Sequence, residues 1–153
     1  MIKNQKTMKK LIIALLILLP FYSNAQNQEV ENAVKVFFEG FHAKDTVKMK
    51  SVCHERMILQ SIMEGQKGTK LFDEKTAEFF KSFATFPVDM KFEEKILSYK
   101  VQVDGAMAHA WTPYEFYVNG KFSHSGVNAF TFFKENGNWK IIHLIDTRRK
   151  NTK

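Results

Sequence analysis

The stretch AWTPYEFYVNGKFSHSGVNAF, from Ala110 to Phe130, sets six aromatic rings, a proline, a glutamate and a histidine around one Asn-Gly pair. Asn119-Gly120 is a strong short-range hairpin signal, because both central positions of a type I′ turn need positive φ. The two flanking runs then read as long antiparallel strands. A two-residue turn sets Tyr117 opposite Phe122, Glu115 opposite His124, Pro113 opposite Gly126, Trp111 opposite Asn128 and His109 opposite Phe130. Side chains alternate along a strand, so these residues share one face, which is large and aromatic. The other face pairs Ala108 with Thr131, Ala110 with Ala129 and Thr112 with Val127, and is mostly small. Pro113 implies a local bend, since proline cannot serve an interior ladder.

Working outward, Asp104-Gly105 and Asn136-Gly137 repeat the turn signal. They separate KFEEKILSYKVQV, AMAHAWTPYEFYV, KFSHSGVNAFTFF and NWKIIHLID, a meander of four strands. At about 12 residues, or roughly 40 Å, such strands curl. Through the Asn136-Gly137 turn, Trp139, Ile141, His143 and Ile145 join the aromatic face. The first hairpin has two registers. A two-residue turn puts Leu97, Tyr99 and Val101 on the small-residue face; a three-residue loop with Gly105 in a bulge moves them to the aromatic one. The bulge is preferred because it makes the sheet amphipathic in one sense.

Upstream of the meander the periodicity is helical. Val30, Ala33, Val34, Phe37, Phe38 and Phe41 fall on one face of a helix. Asp45 can cap a second, shorter helix carrying Met49, Val52 and Cys53. RMILQSI (Arg56–Ile62) reads as a strand and EGQKG (Glu64–Gly68) as a turn. Asp73 can cap a third helix with Thr76, Phe79, Phe80 and Phe83 at helical spacing, ended by Pro87. The expected class is α+β: a curled antiparallel sheet, a four-strand meander plus a short N-terminal strand, with three helices packed on the concave face.

The first 25 residues have the three parts of a secretory signal peptide. Lys3, Lys6, Lys9 and Lys10 form a positive start, Leu11–Leu19 an apolar core, and Ser23 and Ala25 small residues before a cut ahead of Gln26. The apolar run is shorter than the about 20 residues a membrane span takes, and an uncleaved anchor is the alternative. The expectation is an exported protein, periplasmic or extracellular, with residues 26–153 as a single domain and no membrane attachment after cleavage. The four signal lysines account for part of the net charge of +7, leaving +3. Nucleic-acid binders show a more basic domain with clustered Lys and Arg, so no nucleic acid is expected. Cys53 is the only cysteine, which rules out an internal disulfide and favours a buried thiol.

The helix–helix–strand–helix order before a long meander, with AWTPYEFYVNGKFSHSGVNAF in the middle and NWKIIHLIDTRRK at the end, resembles the nuclear transport factor 2-like superfamily. The resemblance covers Gln28–Lys150 and extends to a secreted bacterial branch described as lumazine-binding-like. It implies a pocket between helices and sheet, and dimers through the convex surface. That superfamily includes isomerases, dehydratases, epoxide hydrolases, cyclases and non-catalytic carriers, so the fold does not fix the function. No catalytic set matches residue by residue, and the catalytic residues stay unknown.

The aromatic face supplies the candidate ligand-binding residues: His109, Trp111, Glu115, Tyr117, His124, Asn128 and His143. The same residues also read as ordinary core and edge positions with satisfied polar tips. Glu115 beside His124 is the nearest thing to a functional dyad, since a carboxylate favours the charged imidazole and orients its tautomer; a structural ion pair is the plainer reading. No metal is expected. His109 and His143 stand about 9.6 Å apart and His124 lies roughly 20 Å away, whereas ligand nitrogens sit about 2 Å from one ion. No phosphate loop or nucleophile motif is present, and no cofactor is expected. Three functions stay open: a pocket protein binding a small apolar or aromatic molecule, an acid–base enzyme in the same cavity, or an interaction module with a vestigial pocket. Ala108, Ala110, Thr112, Val127, Ala129, Thr131, Ile142 and Leu144 would form a small, apolar convex surface suited to a homodimer.

Overall fold

The computed structural model describes residues 25–66 and 68–150. The expected signal segment lies outside them except for Ala25. Helix α1 covers 25–43 and buries Val30, Ala33, Val34, Phe37 and Phe38, the stripe its periodicity announces. Helix α2 (Thr46–Ser51) starts at Asp45, whose carboxylate accepts the backbone N–H of Lys48 at 2.9 Å. Strand β1 (Cys53–Gly65) follows, then β2 (Gly68–Glu74), helix α3 (Thr76–Ser82), β3 (Phe92–Ile96), β4 (Lys100–Asp104), β5 (Met107–Val118), β6 (Lys121–Glu135) and β7 (Asn138–Arg149).

The strands form one curled, unclosed sheet in the order β2-β1-β7-β6-β5-β3, with β4 also pairing with β5. β1 runs parallel to β7; every other pair is antiparallel. The α+β class and the helix-covered sheet follow the sequence expectation, but the strands among the described residues number seven. Residues 68–74 add a strand because the turn at 64–68 continues as a hairpin, pairing Gly65 with Gly68 and Leu59 with Glu74. Asp73 therefore sits in that strand, accepting from Gln60 at 2.7 Å, and does not cap α3, whose N-cap is Lys75. Helix α3 ends at Ser82, ahead of Pro87, and the chain tightens into turns through Thr85. β3 and β4 are two pieces of one edge strand, broken at residues 97–99. Leu97 donates to the carbonyl of Pro113 there; a strand residue points its N–H and C=O the same way, so the N–H that proline lacks is missing from this edge.

The two Asn-Gly turns form as read: Asn119 and Gly120 have φ of 50° and 73°, Asn136 and Gly137 of 49° and 83°. The faces do not follow the simple arithmetic. Tyr117 opposes Phe122, but Phe116 opposes His124, so a bulge at Ser123 shifts everything beyond by one residue. A second shift, between Thr131 and Phe132, displaces β7 in the same manner. The result corrects the expected face assignment. Ala108, Ala110, Thr112, Tyr114 and Leu144 lie buried under the helices, whereas His109, Trp111, Pro113, Glu115, Tyr117, His143 and Ile145 fall on the open face. Trp111 is 45% exposed. The first hairpin turns at Gly105-Ala106, with Asp104 opposite Met107, and not in the preferred bulge. That register sets Val101 opposite Ala110, and Val101 and Tyr99 pack onto the core while Leu97 is exposed.

Small residues on the covered side have a physical role. Ala108 and Ala110 let the rings of Phe37, Phe38, Phe130 and Phe132 stack between sheet and helix, with Phe37 and Phe130 edge to face at 6.1 Å. Each fully buried ring contributes about 1.5–3 kcal/mol. Gly126 is required where it stands, because a Cβ there would drive into the Thr147 carbonyl and the Tyr114 ring. This close approach lets β6 and β7 carry their polar side chains into one cavity.

Candidate functional site

Between α1, α3 and the covered face lies a cavity of about 300 Å³. Its wall is phenylalanine: Phe37, Phe38 and Phe41 from α1, Phe79 from α3 and Phe83 just past its end, then Phe86, Phe92 and Phe116. Helical spacing in the first two groups and strand alternation in β3 and β5 aim these rings inward. Phe41 meets Phe83 at 5.4 Å, and Phe86 meets Phe92 at 4.7 Å.

The floor is polar. Glu94 shares one face of β3 with Phe92 and Ile96, so its side chain points into the cavity. The residue is half-buried and lines the cavity. One oxygen, Oε1, accepts the Asn128 amide at 2.6 Å. Burial pushes the Glu94 carboxyl up to about 8; the Asn128 hydrogen bond opposes this, Asp146 adds to it and Arg148 opposes it.

Asp146 anchors the rest of the floor. It accepts the hydroxyl of Ser61 from β1, lies 3.1 Å from the Tyr114 hydroxyl of β5, and takes two bonds from Arg148, at 2.7 and 3.3 Å. The Tyr114 proton is shared with the Thr147 carbonyl at 2.9 Å. Burial holds the Tyr114 phenol well above its ordinary range, with help from Asp146. His124 stands beside this group, 4.9 Å from the Phe116 ring and at right angles to Tyr114. Burial, then Arg148, keeps its imidazole below the ordinary value and so favours the neutral form. Glu74 stands at the rim, where desolvation raises its carboxyl. Behind the wall, His42 accepts the backbone N–H of Glu94 at 2.9 Å, tying α1 to β3.

Of the residues singled out from the sequence, the cavity brings together His124 and Asn128. His109, Trp111, Glu115, Tyr117 and His143 lie on the opposite face of the sheet. Glu115 does not meet His124: the bulge sets Glu115 opposite Ser125, and its carboxylate accepts the Tyr117 hydroxyl at 2.8 Å. His143 instead contacts Gln60 at 3.0 Å. Glu94, Asp146, Arg148 and Tyr114 were not singled out from the sequence. A signal for Glu94 existed, an acid two residues from an apolar neighbour on either side along one strand. Among the described residues no three His, Cys, Asp or Glu side chains gather as a metal-binding group.

Layered helices over a curled mixed sheet, with a cavity between them, have counterparts among solved structures. A protein of unknown function from Pseudomonas putida aligns over 86% of this chain and 92% of its own at a TM-score of 0.65 and 14% identity. The chain has the nuclear transport factor 2-like fold. A candidate dehydratase of that nuclear transport factor 2-like type from Streptomyces avermitilis gives a TM-score of 0.63 at 14% identity, over 83% of this chain and 98% of its own. The beta subunit of a candidate aromatic-ring-hydroxylating dioxygenase from Novosphingobium aromaticivorans gives 0.67 at 10% identity, over 84% and 92%. At these identities the likeness establishes the nuclear transport factor 2-like fold alone. No family model and no curated protein matches the sequence.

Proposed function

We propose that this chain is an exported small-molecule-binding protein whose ligand occupies the cavity between helices and sheet. The observation that carries the reading is the open volume itself: about 300 Å³ walled by phenylalanine over a polar floor. An apolar cavity of about 150 Å³ takes a benzene, so this one suits a substituted ring or a short branched chain. Apolar pockets with a few convergent polar groups are the common form of ligand sites. Open volume also speaks against a vestigial pocket. Native mass spectrometry of protein purified from its own host tests the reading. A retained small molecule that is lost in Phe83→Trp, which fills the cavity, supports it; wild type emerging with no adduct, and binding none of a fragment set, refutes it.

A second reading, an acid–base enzyme, is favoured by one specific feature. Glu94 is a carboxyl held near neutrality in apolar surroundings, as a group passing protons at pH 7 must be. Turnover of a bound ligand that disappears in Glu94→Gln, with binding retained, would select this reading; identical ligand recovered after prolonged incubation would reject it.

The homodimer is likewise a proposal, now through an open face of different composition. Met107, Trp111, Phe133 and Ile58 are exposed there, beside Val127 and Ala129. An apolar patch of this kind suits a partner sheet. Light scattering at micromolar concentration should return twice the chain mass and Trp111→Lys the single mass; a monomeric wild type removes the proposal.

A further inference from the structure

Once Glu94 ionises, the charges around the cavity do not balance. Asp146 and Arg148 hold each other through two hydrogen bonds and cancel. Glu94 and Glu74 remain, and among the described residues neither makes an ion pair with any cation. His124, the other basic group in the lining, is biased toward its neutral form by burial and Arg148. One oxygen of Glu94 is bound by Asn128, while its second oxygen has no protein donor among the described residues, and the residue lines the cavity. The walls around it are ring faces and edges. A cation inside such a cavity gains twice, from the unpaired carboxylate and from the negative faces of the rings. An anion would meet Glu74 and, once Glu94 ionises, a second carboxylate. The carboxylates do not converge as metal ligands, which leaves an organic cation with its charge at one end.

We propose that the cavity takes a lipophilic organic cation, an aryl-alkyl amine or quaternary ammonium, with its charged head against Glu94 and its apolar body among the phenylalanines. This rests on the reading of the cavity as a ligand site and names the chemistry of that ligand. The head displaces the Glu94 proton into solvent, so charge balances on binding. Asp146 and Arg148 on β7, Glu74 at the end of β2, Tyr114 on β5 and His124 on β6 line the same cavity as this carboxyl. Of these, Asp146 and Arg148 act on it with opposite signs, and Tyr114 and His124 stay neutral near pH 7.

The test is calorimetry with three probes of similar size: benzyltrimethylammonium, 4-phenyl-2-butanone and 3-phenylpropionate. The quaternary ammonium does not titrate, so any pH dependence belongs to the protein. At pH 8.5 the cation should bind at least about tenfold more tightly than the ketone or the carboxylate. With Glu94 titrating at about 8, cation affinity should fall about twentyfold between pH 8.5 and pH 6.5, because only the ionised fraction is competent. Glu94→Gln keeps the size and the Asn128 contact, and should abolish both the preference and the pH dependence while circular dichroism stays unchanged. Ketone or carboxylate binding as tightly as the cation overturns the proposal and leaves the ligand site standing. So does a Glu94→Gln variant that binds the cation as wild type does. If none of the three probes binds and no adduct is retained in native mass spectrometry, both readings fall.

Discussion

Replacing Glu94 by glutamine should flatten much of the pH dependence of stability. The carboxyl has an ordinary value of 4.5 and reaches about 8 in the fold, chiefly because burial penalises the charged form. Anywhere between those values the folded chain holds a proton that the unfolded chain has released. Stability from this group is therefore complete below about 4.5 and is lost as pH rises toward 8. The full gap corresponds to about 5 kcal/mol at high pH, and the part lost between pH 5.5 and pH 8 to about 3 kcal/mol. Other groups contribute to the profile, Glu74 in the same direction, but they are common to both proteins, so the difference isolates Glu94. Urea unfolding of wild type and Glu94→Gln at pH 5.5, 7 and 8 measures it. The variant's advantage over wild type should grow by about 3 kcal/mol from pH 5.5, where the folded acid is still neutral, to pH 8. Parallel curves would show that water or relaxation solvates the carboxylate, and would refute the buried-acid argument.

Three further outcomes are expected. Asp146→Asn should lose about 2–3 kcal/mol in urea unfolding, because Arg148 loses its counter-ion and Ser61 and Tyr114 lose a charged acceptor; a change below about 0.5 kcal/mol would show the network to be solvent-satisfied. Thr112 is fully buried and its hydroxyl has no partner among the described residues, so the isosteric Thr112→Val should gain about 1 kcal/mol, and a loss of that size would reveal a hidden hydrogen bond. Cys53 is half-buried with its thiol pushed up to about 12 by desolvation, so Ellman's reagent at pH 8 should leave the folded protein unlabelled and react after unfolding; rapid labelling of native protein would contradict that burial.

The sequence by itself determined the helical stripe and the turns of the meander. The 3.6-residue stripe from Val30 to Phe41 needs no tertiary information, because one helix buries it against anything apolar. Asp45 marks its helix, and the two Asn-Gly pairs mark their turns, because a side-chain acceptor and positive φ are local properties. What lies between the turns was decided only in three dimensions. Turn arithmetic holds for two pairs from Asn119-Gly120, then the bulge at Ser123 reverses it. A bulge inserts one residue without a composition signal, and with a period of 2 one residue is enough to exchange the faces of a strand. This is why Trp111, His109 and Glu115 lie outside while Ala108, Ala110 and Tyr114 lie within. Large rings look like core residues, but the core beneath α1 already holds Phe37, Phe38, Phe130 and Phe132, and only small side chains on β5 leave room for them. The floor of the cavity is more distant still from the sequence. Ser61, Glu94, Tyr114 and Asp146 are assembled from four strands, two of which, β1 and β7, meet only through the parallel pairing of chain segments 85 residues apart. Local patterns carry no information about that closure, so the acid that dominates the cavity's chemistry reads in sequence as one more glutamate on an edge strand.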